Sequence, residues 1–192
     1  MRKQWLLTAL MIGSVACSKQ VTTADFNIVP MPQRIEALAE EGFVIRNSTR
    51  IVYPEGNTAL KKNAELLAEY IADIAELKLN VTSRETDSNA ILLKTNFTNS
   101  NPEAYQLTVG EQTVTINGSS EAGVFYGMQT LRKAIPADSE GCNIALPAVE
   151  ITDMPRFGYR GMHLDVARHF FPKEFIKRYI DILAMHNINR FH

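Results

Sequence analysis

Cysteine is nearly missing from this chain: its 192 residues hold two, Cys17 and Cys142. If Cys17 carries lipid, Cys142 has no partner in the chain and no disulfide framework is possible. The four histidines, His163, His169, His186 and His192, show no HxxxH pair and no neighbouring cysteine, so no metal site is expected. Charge of one sign is also lacking. The net charge is -1, which excludes the basic surface that a nucleic-acid binder needs. No apolar run of membrane-spanning length follows the N-terminus, so no transmembrane helix is expected. GxSxG, P-loop and GxGxxG motifs do not occur, and nothing in the chain asks for a cofactor. The one tryptophan is Trp5, at the very start.

That start is a leader. "MRKQWLLTALMIGSVAC" has a basic beginning at Arg2 and Lys3, an apolar stretch from Trp5 to Val15 and small residues before Cys17. Ser14-Val15-Ala16-Cys17 resembles a bacterial lipobox, with Ser14 where leucine is more usual. The expectation is a lipoprotein signal over 1–16, a lipid on Cys17 and a polar tether over 17–25. It places the protein outside the cytoplasm, in the periplasm or at the cell surface, anchored to the outer membrane. Cys142 then has no partner and reads as a half-buried small residue.

Residues 26–153 carry the pattern of one domain. Pro30 and Pro32 make "FNIVPMPQRIE" an edge or entry segment. "GFVI" and "RIVYP" read as short strands. Leu60, Ala64, Leu67, Ile71 and Ile74 recur at helical spacing and predict a helix over Thr58–Leu77. Four strand-like runs follow, "KLNVTS", "NAILLKT", "AYQLTVG" and "QTVTING", the last two joined as a hairpin through Gly110-Glu111. A second helix is expected from Ser120 to Ile135, capped by Ser119 or Ser120. Gly123 and Gly127 share one face of it, and each costs about 1 kcal/mol relative to alanine. That spacing predicts close approach to another backbone. The whole predicts an α+β domain: a mostly antiparallel sheet with two helices on one face.

From Met154 the pattern changes. "YRGMHLDV" is strand-like, Pro172 opens a third helix at its first position, and "INRFH" begins another strand. Strand, helix, strand is one unit of a parallel sheet or barrel, and one unit closes nothing. The strand carries unexpected charge. Asp165 and Arg168 are placed to form a buried pair at its end and fix the turn into the helix. Arg160 has no local partner, so it answers either to a polar ligand or to a distant carboxylate.

"MPRFGYRGMHLDVARHFFP" and "FIKRYIDILAMHNINRFH" together resemble the start of the catalytic barrel of family 20 glycoside hydrolases, the β-N-acetylhexosaminidases. The family pattern is PRF-x-x-RG-x-x-LD-x-x-RH, then a helix, then N-x-x-HWH. "IVPMPQRIE" and "EAGVFYGMQTLRKAI" are similar to the accessory domain that precedes that barrel. The resemblance implies an accessory domain over 26–153 and the truncated opening of a TIM (β/α)8 barrel over 154–192. It implies glycans ending in N-acetylhexosamine as substrate and retaining catalysis assisted by the substrate's own acetamide, outside the usual two-carboxylate scheme. It assigns Arg160 to sugar hydroxyls, reaching up the barrel, and Asp165, Arg168, His169 and His192 to shaping the site. The family's acid is the glutamate of an Asp-Glu dipeptide, and this chain contains no such dipeptide. No catalytic residue is therefore expected in these residues, and the chain alone should be inactive. The other reading is a non-catalytic glycan-binding or interaction lipoprotein built on the accessory domain.

Overall fold

The computed structural model describes residues 20–192; the leader and Cys17 lie outside the described residues. Twelve strands and three helices follow one another in the described chain. The strands are β1 Val21–Thr23, β2 Arg34–Ala37, β3 Phe43–Ile45, β4 Arg50–Val52, β5 Asn80–Thr82, β6 Ala90–Lys94, β7 Tyr105–Val109, β8 Thr113–Gly118, β9 Asn143–Leu146, β10 Val149–Asp153, β11 Gly161–Met162 and β12 Arg190–Phe191. The helices are α1 Thr58–Ala75, α2 Glu121–Ala134 and α3 Lys173–Met185.

A seven-stranded sheet, in the order β2-β10-β7-β8-β6-β4-β5, organises the first domain. Alternation sets its faces. Tyr105, Leu107 and Val109 on β7, and Val114 and Ile116 on β8, are buried, while the residues between them are half-buried. Both α1 and α2 pack on the buried face and against each other. The α+β class holds, but the sheet is mixed rather than mostly antiparallel. β2, β10, β7 and β8 pair antiparallel, whereas β8, β6, β4 and β5 run parallel. One of these parallel pairs, β4 with β5, follows from α1, a crossover that returns the chain in the same direction.

The helices follow their sequence signals. The Asn57 side chain accepts from the Leu60 amide at 2.9 Å and caps α1, whose buried stripe is Leu60, Ala64, Leu67, Ile71 and Ala75. Left-handed Glu76, with φ 55°, ends it before Leu77. Ser120 caps α2 through the Ala122 amide at 3.1 Å. Gly123 lets α2 approach the backbone, since a Cβ there would lie 2.2 Å from the Ala104 carbonyl oxygen. Gly127 faces side chains instead, those of Ile116 and Tyr105.

A second sheet, β1-β9-β3, closes one end of the same core with Phe43, Ile45, Ile144 and Leu146. It corrects the expected tether: Val21–Thr23 pairs with Asn143–Ala145 through backbone bonds, which need no apolar side chains. Cys142, just before β9, is half-buried and free.

α2 lies between the sheet and the barrel start, touching β7, β8, α1 and α3. Beyond it β11 and β12 pair parallel, Gly161 opposite Arg190 and Met162 opposite Phe191, with α3 as the crossover. Pro172 precedes the helix rather than opening it. Phe171, Phe175 and Tyr179 stack in a row, with centroids 4.6 and 6.1 Å apart, and Phe191 meets Tyr179 at a tilt with centroids 5.5 Å apart. No helix in the described residues is long and apolar enough to cross a membrane.

Candidate functional site at the two ends of the first barrel strand

Strand β11 has charged groups at both ends, and they do different work. At its N-terminal end stands Arg160. Its Nη1 donates to Glu103 Oε2 at 2.8 Å and to the Phe157 carbonyl at 2.7 Å. Its Nε donates to the Asn187 carbonyl at 2.7 Å, and Nη2 to the Tyr126 hydroxyl at 2.9 Å. The pair is well shielded, with side chains 15% and 19% exposed. Of the two readings that the sequence allowed, the distant carboxylate is the one observed. Glu103 stands 57 residues away in the chain. Four of the guanidinium's five N–H donors are taken by protein groups.

Glu103 is presented by a tight turn. The Ala104 amide closes onto the Asn101 carbonyl at 3.1 Å, Pro102 holds the second position, and Asn101 Oδ1 accepts from the Glu103 amide at 2.9 Å. The start of α2 holds that turn, with Ser120 Oγ donating to the Pro102 carbonyl at 2.6 Å. Burial works against the Glu103 charge, but hydrogen bonds from Arg160 and Asn189, the Arg160 charge and the Tyr126 hydroxyl outweigh it, so its carboxyl lies below the ordinary glutamate range. Burial raises the Tyr126 hydroxyl, and the Glu103 charge adds to that. Beside this node is a cavity of about 550 Å³, lined by Tyr126, Asp153, Arg160 and Asn187 among others.

At the C-terminal end of β11 the chain turns outward. Asp165 Oδ1 accepts from the Ala167 and Arg168 amides at 2.9 and 3.1 Å, and Oδ2 takes Arg168 Nε. The Arg168 amide and side chain, then the Ala167 amide, hold the Asp165 carboxyl below its ordinary range. The expected pair therefore exists, but it is open rather than buried: Arg168 is 89% exposed and Asp165 29%. Asp165 holds the guanidinium by one edge, and its remaining N–H groups point to solvent. His169 is exposed, with its ring edge-on to Phe171 at 4.8 Å. His192 stacks on His163, and their Nδ1 atoms are 3.1 Å apart. One ring of that pair must donate to the other. Among the described residues there is no group of three or more candidate metal ligands.

The sequence model of glycosyl hydrolase family 20, domain 2, matches residues 25–154, and that of the family 20 catalytic domain matches residues 157–192. The chain belongs to glycosyl hydrolase family 20. A β-hexosaminidase of Porphyromonas gingivalis is 38% identical over 95% of the chain, which covers 25% of that relative. One of Vibrio furnissii is 33% identical over 88% of the chain and 26% of the relative. Among solved structures, the family 20 β-N-acetylhexosaminidase of Streptomyces coelicolor A3(2) superposes with a TM-score of 0.75 at 32% identity, over 86% of this chain and 34% of that one. The N-acetyl-β-hexosaminidase of Streptomyces plicatus, in complex with Thio-NAglucal, gives 0.75 at 30% identity, over 88% and 34%. The chain thus spans about a quarter of the curated relatives it matches and a third of the solved chains.

Within the family 20 frame, motif residues Arg160 and Asn189 meet at the accessory domain, whereas Asp165 and Arg168 share the outward end. Sequence reasoning missed Glu103, Tyr126 and the His163–His192 stack. Glu103 carries no local signal beyond its Asn-Pro turn, because its partners lie far along the chain.

Proposed function

We propose that this chain forms the N-terminal part of a β-N-acetylhexosaminidase that releases terminal, non-reducing N-acetylhexosamine from glycans. The observation that carries the reading is the family 20 match across both segments, with Arg168 presented at the C-terminal end of β11. Barrel enzymes place their chemistry at that end and their stabilising residues at the other. On this reading Arg168, rather than Arg160, addresses the sugar. Asp165 fixes the guanidinium plane and leaves a fork of N–H donors that suits two adjacent hydroxyls. His192 and His169 border the same end. Hydrolysis runs with help from the substrate's acetamide, and the Asp-Glu pair is supplied from outside these residues. Part of the same proposal is an exported protein held to the outer membrane by lipid on Cys17. A Cys17→Ala variant recovered in the membrane fraction overturns that part.

The test is a chimera in which residues 20–192 replace the matching quarter of the Porphyromonas gingivalis relative. The chimera is expected to hydrolyse an aryl N-acetylglucosaminide, and the 192-residue chain alone is not. Arg168→Met in the chimera should lower kcat/KM about tenfold or more, as loss of a charged hydrogen-bond donor to substrate does. Turnover by the chain alone, or an unchanged kcat/KM in the Arg168 variant, overturns the reading.

A further inference from the structure

We infer that Glu103 is a positioning residue: a carboxylate of the accessory domain that sets the register of the first two barrel strands. Little else holds them. β11 and β12 contribute two residues each to their ladder. Their backbone bonds run from the Asn189 and Arg190 amides to the Arg160 carbonyl at 2.9 and 3.1 Å, from the His192 amide to Met162 at 3.0 Å, and from the Leu164 amide to His192 at 2.9 Å. A two-stranded ladder is marginal in water. The crossover helix adds little, since Leu183 is the one buried residue of α3.

Glu103 grips both strands at their N-terminal ends. Oε2 accepts from Arg160, the residue before β11, and Oε1 accepts from Asn189 Nδ2 at 3.1 Å, the residue before β12. Asn189 also spans the strands, with Oδ1 accepting from the Arg160 amide at 3.0 Å and Nδ2 donating to the Gly158 carbonyl at 3.0 Å. Tyr126 of α2 closes the ring by donating to Glu103 Oε1 at 3.3 Å. Each oxygen of one carboxylate thus addresses one strand. Register matters here because a one-residue slip turns every side chain to the opposite face. A slip of β12 against β11 would carry His192 away from His163. The accessory domain is then a template against which the barrel's first strand pair is aligned, and Glu103 acts through Arg160 and Asn189 without touching the outward end itself.

The test is amide hydrogen exchange, read by NMR, on the full chain and on Glu103→Gln. The substitution keeps the shape but removes the charge and one of the two acceptors. Exchange of the Asn189, Arg190 and His192 amides is expected to accelerate about tenfold or more, the weight of a lost charged hydrogen bond. The Leu107 and Ile116 amides, in β7 and β8, are expected to stay protected. Glu103→Asp, which keeps the charge on a shorter arm, should recover part of the protection. Unchanged exchange in Glu103→Gln overturns the inference. So does acceleration of all amides together, or a variant that fails to fold, because either makes Glu103 an ordinary stabilising residue.

Discussion

Gly123→Ala separates two physical effects that have opposite signs. In an ordinary helix interior the change is favourable by about 1 kcal/mol, because alanine loses less backbone freedom on folding. Here the new Cβ would sit 2.2 Å from the Ala104 carbonyl oxygen and 3.1 Å from Gly118 Cα. A close-packed interior has no slack for that, so α2 must withdraw by about 1 Å or the turn before β7 must move. The same carbonyl accepts the Ser119 amide at 2.9 Å and Ser119 Oγ at 3.1 Å, so displacing it also strains the approach to α2. Overpacking of this kind costs about 1–3 kcal/mol, and a weakened hydrogen bond adds about 1. After the propensity gain the net is a destabilisation of about 1–3 kcal/mol. The assay is urea unfolding followed by circular dichroism, with Gly158→Ala as the control, since nothing lies within 4 Å of a Cβ there. The midpoint should fall for Gly123→Ala with its slope unchanged, and stay within about 0.5 kcal/mol for the control. A Gly123→Ala protein as stable as the parent, or more so, would refute the close approach.

Two more outcomes can be measured. Tyr105→Phe removes a buried hydroxyl that pairs with Thr130 Oγ1 at 2.6 Å and donates to Asp153 Oδ2 at 3.1 Å. Thermal unfolding should show a loss of about 1–3 kcal/mol, and no loss would mean that the Thr130 hydroxyl finds another partner. Stability against pH should carry the mark of Glu103, whose folded carboxyl lies below its ordinary value of 4.5. Its contribution is present above that value and is lost as the pH falls through the folded one. Asp153 runs the other way: burial raises it, against the Gln33 amide, the Tyr105 hydroxyl, the Met154 amide and the Lys133 charge, so its contribution weakens as the pH climbs above its ordinary 3.8. Glu103→Gln should flatten the acid limb of the stability curve below pH 4.5. An unchanged limb would place the carboxyl outside the ion pair.

Legibility in the sequence followed range. α1, α2 and the β7–β8 hairpin are local patterns with local caps, and they stand where periodicity placed them. β9 is four residues behind a Gly-Cys pair, too short to show alternation, and β1 hides in a polar stretch because its partner bonds only to its backbone. Strand order was not legible, since the parallel half of the sheet depends on where crossovers return. The site divided in the same way. Asp165 and Arg168 are three apart in the chain, and their pairing was readable. Arg160 and Glu103 are joined only by the packing of α2 between two domains, and no periodicity reports that.

The exit from the accessory domain has a mechanical consequence. β10 runs straight into the segment that carries β11, and it lies between β2 and β7 with antiparallel partners on both sides. Its ladder bonds stand perpendicular to the strand. A pull on the barrel end of the chain would load β10 along its own length, so the bonds on both flanks would resist together in shear instead of parting one after another. Asp153, the last residue of that strand, is also held by the Gln33 amide at 3.1 Å and the Tyr105 hydroxyl at 3.1 Å, which anchors the point where the load enters.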